Sequence, residues 1–203
     1  MSHREPYLHI RALDHTDLDE VAALLGRGMA DNPMHVAVYG GDEARRAHSH
    51  ERLMRTLLSN SPTMRIDGAE QGGSLVGVAV SSPPGLCQPA GKSRLRLVCR
   101  AATFGPRVAA RLIAWNREWA AQDMSEPHVH LGPVSVDRPL RGRGIGNVLM
   151  LRHVGGLDAV GAAGYLETDR PGAVGFYRRY GYAVIAEEDI LGVRCWFMRR
   201  PSA

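Results

Sequence analysis

Arg141-Gly142-Arg143-Gly144-Ile145-Gly146 alternates glycine with larger residues just ahead of a helix-like run. Glycines let a backbone come close to a ligand. At the start of a helix they turn several N–H groups, and the positive end of the helix dipole, toward an anion. Such a loop suits a diphosphate, and an ordinary tight turn is the alternative. Upstream, His128 and His130 alternate with Val129 and Leu131, which puts both imidazoles on one side of a strand. A histidine titrates near neutrality and could relay a proton. A structural pair and a weak metal site are the alternatives. The spacing shows no third ligand, so no metal is expected.

Two phosphate chemistries are excluded on residues. A nucleotide-hydrolysing loop needs Gly-Lys-Ser/Thr, but Gly146 is followed by Asn147-Val148, with no lysine for the outer phosphates and no hydroxyl for magnesium. A dinucleotide fold carries its glycines after the first strand of a repeating strand-helix-strand pattern, whereas this loop comes late and follows antiparallel-looking strands.

The elements that must position these groups follow from periodicity. Tyr7 to Ala12 alternates as a strand, and Asp17 with Glu20 offers a capping-box-like start to a helix bearing Leu18, Val21, Leu25 and Gly28 on one face. Asp31-Asn32-Pro33 is a turn. Asp42 to Leu58 is a second helix with Ala47, Met54 and Leu58 inward. Thr63–Asp67 and Ser74–Ser81 form an antiparallel pair joined by a glycine-rich loop from Gly68 to Gly73. An extra helical segment around 93–124 splits at Gly105-Pro106, with stripes at Leu95, Val98, Ala102 and at Val108, Leu112, Trp115, Trp119. The tryptophans are read as packing. His128–Val136 is the strand before the loop. The helix after it carries Met150, Val154 and Leu157 inward, and its Gly155-Gly156 pair is expected to pack closely on the sheet. Tyr165–Thr168 is a strand, Ala173–Tyr180 a helix ended by Gly181, and Ala183–Ile185 with Arg194–Met198 a last strand pair.

With 203 residues and 44% hydrophobic content, the chain suits a single domain over 1–203. Lys plus Arg exceed Asp plus Glu, 25 to 21, without a polybasic run, so an anionic cofactor fits and a nucleic-acid partner does not. Cys87, Cys99 and Cys195 are odd in number and widely spaced, which fits a reducing, cytoplasmic setting. Met1 to Arg11 lacks a basic end plus apolar stretch, and no long apolar run follows, so no membrane is expected.

Val134-Ser135-Val136 leading through Asp137 to Gly146 resembles the acetyl-CoA motif of the GNAT N-acetyltransferase family, Arg/Gln-x-x-Gly-x-Gly/Ala directly after a central strand. About 30 residues later, Phe176-Tyr177-Arg178-Arg179-Tyr180-Gly181-Tyr182 resembles the family's second signature. Leu166-Glu167-Thr168 and Cys195-Trp196-Phe197-Met198 are closest in pattern to puromycin N-acetyltransferase-like members. Only Pro83 to Pro127 lacks a motif that aligns.

The resemblance implies an α/β (α+β) GNAT fold, with a mixed, mostly antiparallel, splayed sheet of about six to seven strands. It implies acetyl-CoA as co-substrate and a small-molecule amine as acceptor. A protein or peptide acceptor and a catalytically silent acyl-CoA-binding sensor are the alternatives. Monomer and homodimer both stay open. By this analogy, Val134 and Val136 bond the pantetheine arm through their backbone, beside Ser135, and the Val136 N–H polarises the thioester carbonyl. The N–H groups of Arg141, Gly142, Arg143, Gly144, Ile145 and Gly146 hold the pyrophosphate. The Arg141 side chain is a second anion contact or a solvated charge. Tyr177 matches the family's acid, its alternative being a core-edge aromatic, while Tyr180 and Tyr182 read as packing. His130 sits where many members carry a basic carboxylate. Glu167, at the end of the next strand, competes with it as base, ion-pair partner or amine contact. Arg170 replaces a cofactor-bonding asparagine, so that contact passes to an arginine directed at phosphate or is lost.

Overall fold

The chain runs β1 (Leu8–Leu13), α1 (Leu18–Met29), α2 (Pro33–Tyr39), α3 (Glu43–Ser59), β2 (Arg65–Gln71), β3 (Ser74–Ser82), α4 (Gly91–Ala102), α5 (Pro106–Ala121), β4 (His128–Val136), α6 (Ile145–Val160), β5 (Ala163–Thr168), α7 (Pro171–Arg178), β6 (Ala183–Ile190) and β7 (Val193–Arg200). The structure is a computed structural model that describes residues 7–202, so most of the stretch read for a leader lies outside it. The strands form one mixed sheet of seven in the order β1-β2-β3-β4-β5-β7-β6. Only β4 and β5 pair in parallel; the other neighbours are antiparallel.

Strand alternation sends successive side chains into different layers. On one face, Ile145, Leu149 and Met150 of α6 and Val174 of α7 pack with Ala79, Leu131, Leu166 and Met198. On the other, α1 and α3 cover Ile66, Val78 and Val80 with Val21, Leu24, Leu25, Met54 and Leu58. Beside them, Met34 and Val38 of α2 and Leu112 of α5 pack on Tyr165 and Phe197, with Trp115 and Trp119 at the margin. Each fully buried side chain of this size contributes roughly 1.5–3 kcal/mol. The layers therefore fix β4, β5 and the starts of α6 and α7 relative to one another.

Several local expectations change. Asp17 does not cap α1 with its side chain; Arg11 takes the carboxylate at 2.7 and 2.9 Å, and Glu20 accepts from the Leu75 N–H instead. Pro33, read as part of a turn, is the first residue of α2, a position where proline lacks only an N–H that would be unpaired anyway. Strand β2 continues to Gln71, so the hairpin turn is just Gly72-Gly73. The α4 stripe faces outward, with Leu95 64% and Val98 44% exposed, because α4 meets α3 and α5 rather than the sheet. Gly155-Gly156 is not a close-packing site: a Cβ added at Gly155 meets nothing within 4 Å, and one at Gly156 only an arginine side chain at 3.9 Å. The last hairpin is also longer than expected, because β6 and β7 pair, through a bulge between Val184 and Ala186, as far as Ile190↔Val193.

Candidate functional site

The Arg138–Leu140 stretch forms a 3-10 turn after β4, and the loop then enters α6 through Gly142 at φ 81° and Gly144 at φ 84°. Both lie in the left-handed region, where a non-glycine residue costs roughly 1–2 kcal/mol, and both leave open space where a side chain would stand. The Arg141 and Arg143 N–H groups are used in turn bonds, to Arg138 and Leu140 carbonyls at 3.3 and 3.4 Å. That narrows the expected six donors to four: the N–H groups of Gly142, Gly144, Ile145 and Gly146 have no acceptor among the described residues. Four donors without acceptors at the entry to a helix are a place for an anion.

The loop's arginines divide. Arg141 does not reach outward as an anion contact or a solvated charge; its guanidinium bonds both oxygens of Asp31, at 2.8 and 3.1 Å, and the Gly28 carbonyl. Arg170 turns to the same carboxylate at 3.4 Å and to Asn32 at 2.9 Å, and Arg138 lies 3.7 Å from it. Burial works against ionisation of Asp31, but the three guanidiniums outweigh it and hold the carboxyl below its ordinary range. Arg138 is also paired with Glu43, so three guanidiniums share two carboxylates and leave a net positive charge beside the loop. Arg143 is exposed and forms no ion pair among the described residues.

The gap that a cofactor arm needs is visible in the register. β3 follows β4 from Ser82↔His130 to Gly77↔Val136, with Gly132-Pro133 bulged opposite Val80. On its other edge β4 pairs with β5 only from His128↔Ala163 to His130↔Tyr165. Beyond His130 the strands separate. The Asp137 N–H bonds the Val76 carbonyl at 2.8 Å, and antiparallel bonding alternates, so Val134 and Val136 turn their N–H and C=O groups to the open edge, where Arg141 Nε reaches the Val136 carbonyl at 3.4 Å. The Ser135 side chain turns instead toward α1, where its Oγ is buried without a partner among the described residues. Phe176 closes the mouth: its ring lies 3.4 Å from where a Cβ on Gly146 would stand, a site that also borders Val136.

At the start of the gap, His130 Nε2 and Glu167 Oε2 are 2.7 Å apart, in a pair whose carboxylate side chain is only 2% exposed. The sequence offers them as rival bases; the fold couples them. Burial disfavours the imidazolium, yet Glu167, with Cys87 close by, holds His130 well above its ordinary value. Glu167 Oε1 is buried and has no hydrogen-bond partner among the described residues. Tyr177 is half-buried, and its hydroxyl bonds nothing among the described residues, whereas Tyr180 donates to Asn147 Oδ1 and Tyr182 pairs with His153, each at 2.9 Å. Burial, with Asp169 nearby, pushes Tyr177 up to about 12.

Sequence spacing missed three contributors. Asp169 follows β5 and accepts the Met34 N–H at 2.7 Å, fastening the start of α2 beside the gap. Cys87 and Asp123 come from the segment without an aligned motif, and both lie on His128, with Sγ 3.3 Å and Oδ1 3.1 Å from Nε2. Burial opposes the Cys87 thiolate, but hydrogen bonds with His128 and His130 bring the thiol down to about 7. None had a local signal: Asp169 acts on Met34 across 135 residues and Cys87 on His128 across 41, while Asp123, close to His128 in the chain, stands in no recognised spacing.

Residues 35–182 match the model of the Acetyltransferase (GNAT) family. Similar solved structures include a Corynebacterium glutamicum protein described as histone acetyltransferase HPA2 and related acetyltransferase (18% identity, 98% of each chain, TM-score 0.68). A Drosophila melanogaster polyamine N-acetyltransferase that forms N-acetylagmatine shares 16% identity over 96% of this chain and 100% of its own, at TM-score 0.67. An agmatine N-acetyltransferase mutant shares 18% identity over 95% and 99%, at TM-score 0.66. No described helix is long and apolar enough to cross a membrane.

Proposed function

Because the chain belongs to the GNAT acetyltransferase family, we propose that it works as one cytoplasmic domain that moves an acetyl group from acetyl-CoA to a primary amine of a small molecule. The observation that carries this reading is the ladder break after His130↔Tyr165, which leaves the backbone of Val134 and Val136 facing an open edge on the strand that leads into the loop and its four free N–H groups. Acetyl-CoA supplies the activated acetyl group as a thioester. Gly142, Gly144, Ile145 and Gly146 hold its diphosphate, and Val134 and Val136 bond its arm. The Val136 N–H donates to the carbonyl oxygen as negative charge grows there, the kind of preorganised donor that contributes most to such reactions.

Proton transfers fall to side chains. Glu167 offers its unpartnered Oε1 to the acceptor nitrogen and takes a proton from it, while His130 fixes the other carboxylate oxygen. Tyr177, held protonated at neutral pH, gives its proton to the departing sulfur. The polyamine and agmatine acetyltransferases that share the fold favour a small amine as acceptor. A thiol-release assay with acetyl-CoA across polyamines, arylalkylamines, amino acids and peptides tests the reading. Turnover confined to small amines supports it; turnover with peptides alone refutes the acceptor class.

A further inference from the structure

Next to the acyl-transfer gap, the end of β4 carries a cluster that the proposed reaction does not use. Cys87, Asp123 and His128 each offer one ligand atom, and these atoms all lie within 4.8 Å of one another. Two contacts are far shorter: Cys87 Sγ to His128 Nε2 is 3.3 Å, and Asp123 Oδ1 to the same nitrogen is 3.1 Å. Ligand atoms held at about 2.0–2.3 Å around a tetrahedral zinc stand about 3.3–3.6 Å apart, so the cluster is already near the edge lengths of such a site. The other imidazole nitrogen is spoken for: His128 Nδ1 is 2.9 Å from the Glu126 carbonyl, the arrangement that fixes the tautomer and leaves Nε2 with its lone pair.

Without a cation the cluster is poorly satisfied. A thiol sulfur, an imidazole nitrogen with its lone pair and a carboxylate oxygen face one another with one thiol proton to share. Asp123 Oδ1 is buried and has no hydrogen-bond partner among the described residues. His128 is 4% exposed and ring-packed on Tyr165 at 5.2 Å, so it cannot swing out to solvent. Gln88 reaches the second Asp123 oxygen at 3.5 Å, which further fixes the carboxylate.

We infer that Cys87, Asp123 and His128 form a three-ligand site for a thiophilic divalent cation, Zn2+ by its sulfur, nitrogen and oxygen donors, with a fourth position left for water or another small donor. The site adjoins the acetyl-transfer pair, because Cys87 also hydrogen-bonds His130, but its test reads metal binding and not turnover.

Untagged, chelator-treated protein titrated with Co2+ tests the site. The expected result is a thiolate-to-cobalt charge-transfer absorption that saturates at one ion per chain and is displaced by Zn2+. Cys87→Ser abolishes the absorption, and Asp123→Asn weakens Zn2+ binding at least about tenfold. Cys99→Ser, at an exposed cysteine, leaves both unchanged. Circular dichroism of each variant keeps a folding defect separate from lost ligation, and either Cys87→Ser or Asp123→Asn alone suffices if the other misfolds. Absence of the absorption in the folded parent, or Zn2+ binding undiminished in folded Cys87→Ser, overturns the proposal.

Discussion

The two ends of β4 are built in opposite ways. Its C-terminal end, from Val134 into the loop, works through backbone: free N–H groups, two glycines at positive φ, and arginines whose charges are locked on Asp31. Its N-terminal end works through side chains from four segments, with His128 and His130 meeting Glu167, Cys87 and Asp123. Backbone recognition suits the constant part of a reaction, a cofactor whose phosphates and amides never change. Side chains gathered from afar suit the part that must differ between relatives, the acceptor. The two ends should therefore fail independently.

Glu167→Gln strikes hardest at the acceptor end: kcat/KM for the amine falls about 10²- to 10³-fold, while acetyl-CoA binding measured by calorimetry stays unchanged. Tyr177→Phe lowers kcat about 100-fold and leaves both the acetyl-CoA affinity and Tm near the parent's, since the hydroxyl has no partner to lose. If Tyr177→Phe turns over normally, the proton reaches the sulfur by another route. Gly142→Val breaks the opposite end. Forcing a side chain to φ 81° costs about 1–2 kcal/mol, so acetyl-CoA binds about 5- to 30-fold more weakly, with the amine KM unaffected.

Behind the acceptor end, His35 and His50 are buried with their Nε2 atoms 3.2 Å apart. Burial lowers His35 to about 3 and His50 well below the ordinary value of 6.5. Above that value both folded and unfolded chains keep the rings neutral and stability does not respond. Below it the unfolded chain takes up protons that the native state refuses, so stability is lost as pH falls from 6.5 toward 3. The loss is roughly 1 kcal/mol per histidine per pH unit. Urea midpoints at pH 7 and 5.5 read it, and His50→Gln should make the loss shallower. The smallest effect lies in α6, behind the loop: Gly155→Ala, with open space for its methyl, gains about 0.5–1 kcal/mol and raises Tm without touching either end. A drop in Tm would mean that the glycine serves the packing first expected of it.

The same contrast explains what could be read from the chain. Glycines that need positive φ and a strand-loop-helix order are local, so Gly142 to Gly146 and the Phe176-Tyr177 helix were legible in the sequence. His130 and Glu167 were each visible, but their pairing depends on the parallel β4/β5 register, which neither residue encodes. The bonds of Arg141 and Arg170 to Asp31 were not legible, because Asp31 lies 110 and 139 residues away from them. Cys87 and Asp123 had no motif at all. Even α2 escaped, because its start rests on Asp169 rather than on a capping side chain of its own.

Calorimetry of acetyl-CoA with the parent protein and with Glu167→Gln tests the central claim most directly. The ladder break and the four free donors predict one binding event per chain with the same affinity in both proteins. No binding to the folded parent would contradict the account, and so would binding abolished by Glu167→Gln, since it would place the cofactor at the side-chain end of β4.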